Sequence, residues 1–225
     1  MFQDNYHIEP AIAFVRSQLP DEIANISGGH TFQGLNDDQI EQLIQLGREK
    51  GLKLHRFKKT MGLPRVSKVI GYLHAFYPQT LLDIGTGRGV FLWPFMETFP
   101  NTEVTSLDIL PHRIEFLNDV KIGGMSHLNA QLVDIREYDA PDASFDVVTF
   151  LETLEHISEP EKALLNAVRM AKRAVILSVP SKEDDNPEHI HLLGEEFFHS
   201  ALRGRSDLSV SFDYVPNHRI IIITF

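Results

Sequence analysis

Glu152, Glu155 and His156, with His189 further along the chain, are the side chains whose types and spacing can do chemistry. If residues 152 to 157 turn as a helix, the spacings i, i+3 and i+4 set the first three on one face. The stretch Pro187-Glu188-His189-Ile190-His191 reads as a loop and adds a second imidazole. Two carboxylates with two imidazoles suit a divalent cation with mixed oxygen and nitrogen ligands, Mg2+ or Mn2+, and such a cation lowers the pKa of a bound hydroxyl. Without a cation the same groups can move protons: histidine titrates near neutrality, so His156 or His189 can take a hydroxyl proton beside Glu152. A structural reading competes with both, in which Glu155 and His156 only cap or brace the helix and His189 bonds to backbone. His191 is a weaker candidate, and His7, His30 and His74 have no partners in the pattern.

The elements that must position these groups begin at Leu81-Leu82-Asp83-Ile84-Gly85-Thr86-Gly87-Arg88-Gly89. Leu81 to Ile84 is a short apolar run of the kind used by a buried parallel strand. Glycines at alternate positions turn the backbone tightly and leave its N–H groups bare, and Phe91, Leu92 and Phe95 resume at helical spacing. Strand, glycine loop, helix is the unit that places a polar or anionic ligand at a helix start. A dinucleotide fingerprint would read G-x-G-x-x-G, but Val90 stands where its third glycine belongs. Asp83, two residues before the first glycine, would repel a pyrophosphate and suits a ligand that carries an ammonium group.

Three further strand ends follow in order. Val104 to Asp108 ends in an acid one βαβ step after Gly85, where a carboxylate can accept hydrogen bonds from ribose hydroxyls. Gln131 to Ile135 reads as a third strand ending at Asp134, and Ser144 to Phe150 as a fourth, with the segment that holds Glu152 at its carboxyl edge.

These residues together resemble the class I S-adenosylmethionine (SAM) methyltransferases, over roughly residues 70 to 180. The resemblance implies that Asp83, Gly85, Gly87, Asp108 and Asp134 hold SAM, with Asp134 at the adenine amino group and Thr86, Ile109, Ile135 and Leu151 alongside. Glu-x-x-Glu-His with a later histidine is similar to the metal site of the small-RNA 3′-end 2′-O-methyltransferases. That likeness makes Glu152, Glu155, His156 and His189 the expected ligands. Ile190-His191-Leu192-Leu193 departs from that family's charged and aromatic continuation. The ubiquinone-biosynthesis O-methyltransferases carry a similar segment, so the pattern indicates a broad branch and leaves the acceptor open.

Charge adds a partner question. The chain has 225 residues and a net charge of −10, yet residues 48 to 68 carry eight cationic side chains against Glu49, a net +7 that leaves −17 elsewhere. If Leu52 to Met61 is helical, Leu54, Phe57 and Met61 share one face, with Lys53 and Arg56 on another. The segment then reads either as a clamp for a phosphate-bearing acceptor such as RNA, or as a solvated face balancing an acidic body. Cysteine is absent, which excludes a disulfide framework and a thiolate site. Met1 to Asn5 shows no signal core and no run is long enough to span a bilayer, so a cytoplasmic enzyme without a membrane partner is expected.

The expected architecture is one α/β fold: a Rossmann-like, mostly parallel seven-stranded sheet with helices on both faces and a C-terminal antiparallel hairpin. Residues 1–75 are expected as a helical cap and 76–225 as the SAM-binding domain. Ser27 to His30 reads as a loop, and Ser158-x-x-Glu161 as a capping box for the helix that follows. The expected activity is methyl transfer to oxygen of an unidentified acceptor. Its rivals are a metal-dependent RNA-end 2′-O-methyltransferase, a SAM-binding protein without catalysis, and a nicotinamide-dependent reductase, against which Val90 and Asp83 argue.

Overall fold

A computed structural model describes residues 5–27 and 32–225; the expected loop at 28–30 and the start of the N-terminal stretch lie outside them. Apolar runs build seven strands, β1 (Thr80–Ile84), β2 (Glu103–Asp108), β3 (Leu128–Leu132), β4 (Phe145–Leu151), β5 (Ala171–Pro180), β6 (Ser209–Val215) and β7 (His218–Thr224). They form one sheet in the order β3-β2-β1-β4-β5-β7-β6. Strands β1 to β5 are parallel, and β7 runs antiparallel between β5 and β6. Central strands carry apolar side chains on both faces because both faces are covered. Leu81, Val104, Val147 and Ile222 point into one core, and Leu82, Leu107, Val148 and Ile221 into the other.

The first core is covered by α1 (Ile8–Gln18), α3 (Asp37–Glu49), α4 (Pro64–Leu73), α5 (Leu92–Thr98) and α6 (Pro111–Ile122), with α2 (Pro20–Ser27) beside α1 and α3. The second is covered by α7 (Pro160–Met170) and α8 (Glu195–Ala201). Asn36 caps α3 through the Gln39 N–H, and Gln39 returns the bond to the Asn36 N–H. Helix α1 lies so close on α6 that a Cβ on Gly123 would stand 1.7 Å from the Ala13 carbonyl oxygen. A buried imidazole also ties the chain start to α5, with His7 Nδ1 2.9 Å from Glu97 Oε2.

Several local expectations are corrected. Residues 52 to 61 form no helix beyond a single 3₁₀ turn at Leu54–Phe57. Backbone groups that a helix would use are taken by the chain start: the His7 N–H donates to the Phe57 carbonyl at 2.8 Å, and the Lys59 N–H to the Asn5 carbonyl at 3.0 Å. Leu54 and Phe57 are still buried, and Arg56 lies over the Phe116 ring at 4.7 Å. The third strand starts earlier than expected and ends at Leu132, so Asp134 sits on the loop beyond it. No capping box starts α7: Pro160 opens it, and the Ser158 hydroxyl instead accepts from Arg136.

Candidate active site

Strand β4 crosses to the far side of β1 from β2, so the loops after β1, β2 and β4 diverge and leave a crevice at their carboxyl ends. A cleft of about 600 Å³ occupies it. Asp83, Gly85, Thr86, Gly87, Asp108, Ile109, Asp134, Ile135 and Leu151 all line this cleft.

Its floor is Asp83, whose carboxylate accepts from the Thr86 and Thr149 hydroxyls, each at 2.7 Å. Burial pushes this acid up to about 6, against the pull of the two hydroxyls. A buried acid in that state gains from a cationic ligand. Gly85, Gly87 and Gly89 all have left-handed φ, which a β-carbon disfavours. Two of them are crowded as well: a Cβ on Gly85 would meet the Thr153 side chain at 2.3 Å, and one on Gly89 the Trp93 indole at 2.2 Å. Asp108 accepts from the Gly87 N–H at 3.1 Å and the Leu110 N–H at 3.0 Å, with Arg113 3.3 Å away. Asp134 is gripped by Arg136, whose guanidinium holds the carboxyl below its ordinary range. Ile109 is 64% exposed and Leu110 36%, apolar side chains turned to the open cleft where a flat heterocycle would cover them. The N–H groups of Gly85, Gly87 and Gly89 are not bare as expected, since they donate to Leu107, Asp108 and Thr86; a buried acid for an ammonium group, a strand-end carboxylate and apolar walls fit SAM.

Farther along the cleft the expected quartet divides. Glu152 is not on a helical turn: its N–H donates to the Ser178 carbonyl at 3.0 Å, prolonging strand pairing, and only Leu154–His156 makes a 3₁₀ turn. Glu152 lines the cleft, its carboxylate is held by Ser178 and His218, and it is not part of the cluster that Glu155 makes. Glu155, His156 and His189 do converge, each offering a ligand atom within 4.8 Å of the others. Neither carboxylate oxygen of the buried Glu155 has a hydrogen-bond partner among the described residues. Desolvation first, and then the Glu152 charge, push this acid up to about 8. His156 Nδ1 donates to the Glu188 carbonyl at 2.7 Å, which leaves Nε2 with its lone pair in the neutral ring. Asp184 Oδ2 lies 2.9 Å from His189 Nδ1, and the opposite nitrogen is 3.9 Å from Glu155. An orphaned buried carboxylate with two oriented imidazoles fits a divalent cation held by three protein ligands, without Glu152. His156 lines the cleft; Glu155 and His189 stand behind it.

Sequence reasoning missed Ser178, Thr149, Arg136 and His218. A polar residue inside the apolar strand run at 174–179 was a usable signal for Ser178, whereas nothing local marks His218. No helix among the described residues is long and apolar enough to cross a membrane.

Comparison with known proteins gives the family and the fold. A family model described as "Methyltransferase domain" matches residues 42–210. A malonyl-acyl-carrier-protein O-methyltransferase of Ilyobacter polytropus is 29% identical over 89 residues, 39% of this chain and 32% of that protein. Ribosomal RNA small subunit methyltransferase G of Streptococcus thermophilus is 37% identical over 73 residues, 31% of each chain. The match thus spans about a third of the length of these curated relatives. A solved SAM-dependent methyltransferase from Aquifex aeolicus superposes with a TM-score of 0.58 at 20% identity, covering 73% of this chain and 92% of that one.

Proposed function

The chain belongs to the methyltransferase-domain family and is a class I SAM-dependent methyltransferase; from that premise we propose that the methyl group goes to oxygen. The observation that carries this reading is that two proton acceptors, Glu152 and His156, line the cleft that also holds Asp83, Gly85 and Asp108. Transfer from a sulfonium releases a neutral thioether and needs little covalent help. A hydroxyl acceptor must in addition lose its proton, and that is the step these residues serve. In-line attack forms the O–C bond as the S–C bond breaks. The thioether leaves with the electron pair, and the hydroxyl proton passes to Glu152 or to His156 Nε2. Asp83 and Asp108 anchor SAM at its ammonium and ribose ends, and the apolar side chains of Ile109 and Leu110 exclude water from its base.

Glu155, His156 and His189 would hold a divalent cation, Mg2+ or Mn2+. When bound, such an ion acts as a Lewis acid toward a hydroxyl. His156 then serves as a ligand, and Glu152 is left to accept the proton.

A second reading, an RNA acceptor, is supported by the cationic segment. Lys53, Lys58 and Lys59 are exposed, and none has an ion-pair partner among the described residues. Thr60 donates to the Val90 carbonyl at 2.6 Å, which anchors the segment at the cleft, where Arg65 and Arg88 also stand. The test is transfer of label from methyl-labelled SAM to a fractionated cell extract, with and without EDTA and with and without RNase. Label recovered in an ether or ester that EDTA suppresses supports oxygen and the cation together. Label on nitrogen overturns the oxygen assignment, and label indifferent to EDTA removes the cation. Sensitivity to RNase decides between RNA and a small molecule.

A further inference from the structure

Glu152 stands at the end of β4 with φ +53°, a left-handed conformation favoured by glycine and asparagine. In a residue of this kind it costs on the order of 1 kcal/mol or more and persists only where the surroundings over-determine it. The surroundings here are two other strands. From β5, the Ser178 hydroxyl donates to Glu152 Oε1 at 2.6 Å. From β7, His218 Nε2 lies 3.0 Å from Glu152 Oε2. His218 is itself fixed: it pairs with Pro180 in the β5–β7 register, and its Nδ1 is 2.9 Å from the Pro216 carbonyl oxygen in the β6–β7 turn. A carbonyl can only accept, so Nδ1 bears a hydrogen. The contact between Nε2 and a carboxylate oxygen then requires a second hydrogen between them, an assignment inferred from the network. Of the three residues only Glu152 lines the cleft.

We infer that His218 is a positioning residue for methyl transfer, holding the Glu152 carboxylate so that its remaining lone pairs meet the hydroxyl of the acceptor. This rests on the oxygen reading above. A carboxylate has about four lone-pair sites. Ser178 occupies one on Oε1 and His218 one on Oε2, which directs the others into the cleft. The strained backbone and the two tethers do the same work: they fix the carboxylate on Ser178 and His218 at the cleft. The tip of the C-terminal hairpin is thereby part of the active site, although it contributes no atom to the cleft wall.

The test uses His218→Ala and His218→Gln, the second keeping an N–H donor near the position of Nε2. Both are assayed at saturating SAM on the extract fraction that the wild-type enzyme labels. His218→Ala should label about tenfold more slowly or worse, as expected for one lost charge-assisted hydrogen bond, while calorimetric SAM affinity stays unchanged. His218→Gln should recover most of the rate. A wild-type rate in His218→Ala overturns the inference, and so does a His218→Gln rate no better than that of His218→Ala, because a purely structural imidazole would show no donor rescue. A second readout needs no acceptor. Nitrogen-15 NMR of the histidine rings should show a hydrogen on His218 Nε2 in the wild type that is lost in Glu152→Ala, and its absence from the wild type overturns the inference. If the labelled product is an N-methyl compound while both readouts hold, the oxygen reading fails and the positioning role stands.

Discussion

Asp83 shows what burial does to a single functional residue. Its two hydroxyl partners favour the charged form, yet desolvation outweighs them and leaves the acid at about 6, above its ordinary 3.8. For an acid raised on folding, the folded state binds the proton more tightly, so stability falls as pH rises from about 4 to about 6 and stays at the lower level above. An ammonium group docked against Asp83 reverses that loss, since it favours the ionised form. SAM binding is therefore expected to strengthen between pH 5 and pH 7.5 and to release a proton below pH 6, measured by calorimetry in buffers of different ionisation enthalpy. Asp83→Asn should bind weakly at both pH values and flatten the dependence. A pH dependence that survives in Asp83→Asn would place the titrating group elsewhere.

Among the elements, the glycine loop tolerates little change. Gly89 combines a left-handed φ of +80° with the buried Trp93 indole 2.2 Å from where a Cβ would stand, and the same indole donates to the Arg88 carbonyl at 3.0 Å. Gly89→Ala is expected to lower unfolding stability by about 2–4 kcal/mol through strain and displaced packing, read from urea midpoints. Gly87→Ala, with no neighbour nearer than Arg113 Nη1 at 3.5 Å, carries the strain alone and should cost less. This loop was legible in the sequence because its signal is local: an apolar strand, alternating glycines and a resumed helical period. Strands β1, β2 and β4 were legible for the same reason. The segment 52 to 61 was misread because its helical pattern is real, but its backbone groups are claimed by residues 5 to 7, far away in sequence. The quartet at 152 to 189 was half legible. Glu155 and His156 are neighbours in sequence, the family resemblance supplied His189, and the three converge, whereas a positive φ took Glu152 to partners on β5 and β7.

At the scale of the whole molecule, charge is unevenly distributed. The +7 of residues 48 to 68 faces an otherwise acidic chain, and its exposed lysines flank a segment anchored at the cleft. Replacing Lys53, Lys58 and Lys59 with Glu should raise the KM for a polyanionic acceptor by about tenfold or more at low salt, with a shallower salt dependence and unchanged SAM affinity. An unchanged KM would assign the segment to solvation. Arg56 is left out because its guanidinium packs on Phe116, and losing it would confuse binding with folding.

The close seat of α1 on α6 bears on how the molecule is made. Ala13 and Gly123 touch across a long stretch of intervening chain, and His7 meets Glu97 across another. A ribosome therefore releases α1 well before α6, one of the helices that cover it, exists. Until α6 emerges, α1 has α2, α3 and the turn at Leu54–Phe57 to pack on, but the Phe14 edge that meets Phe116 of α6 stays uncovered. Contacts this remote in sequence form late and slow the search for the native state. The nascent chain thus has a defined interval in which its first helix is a target for holdase chaperones and for self-association.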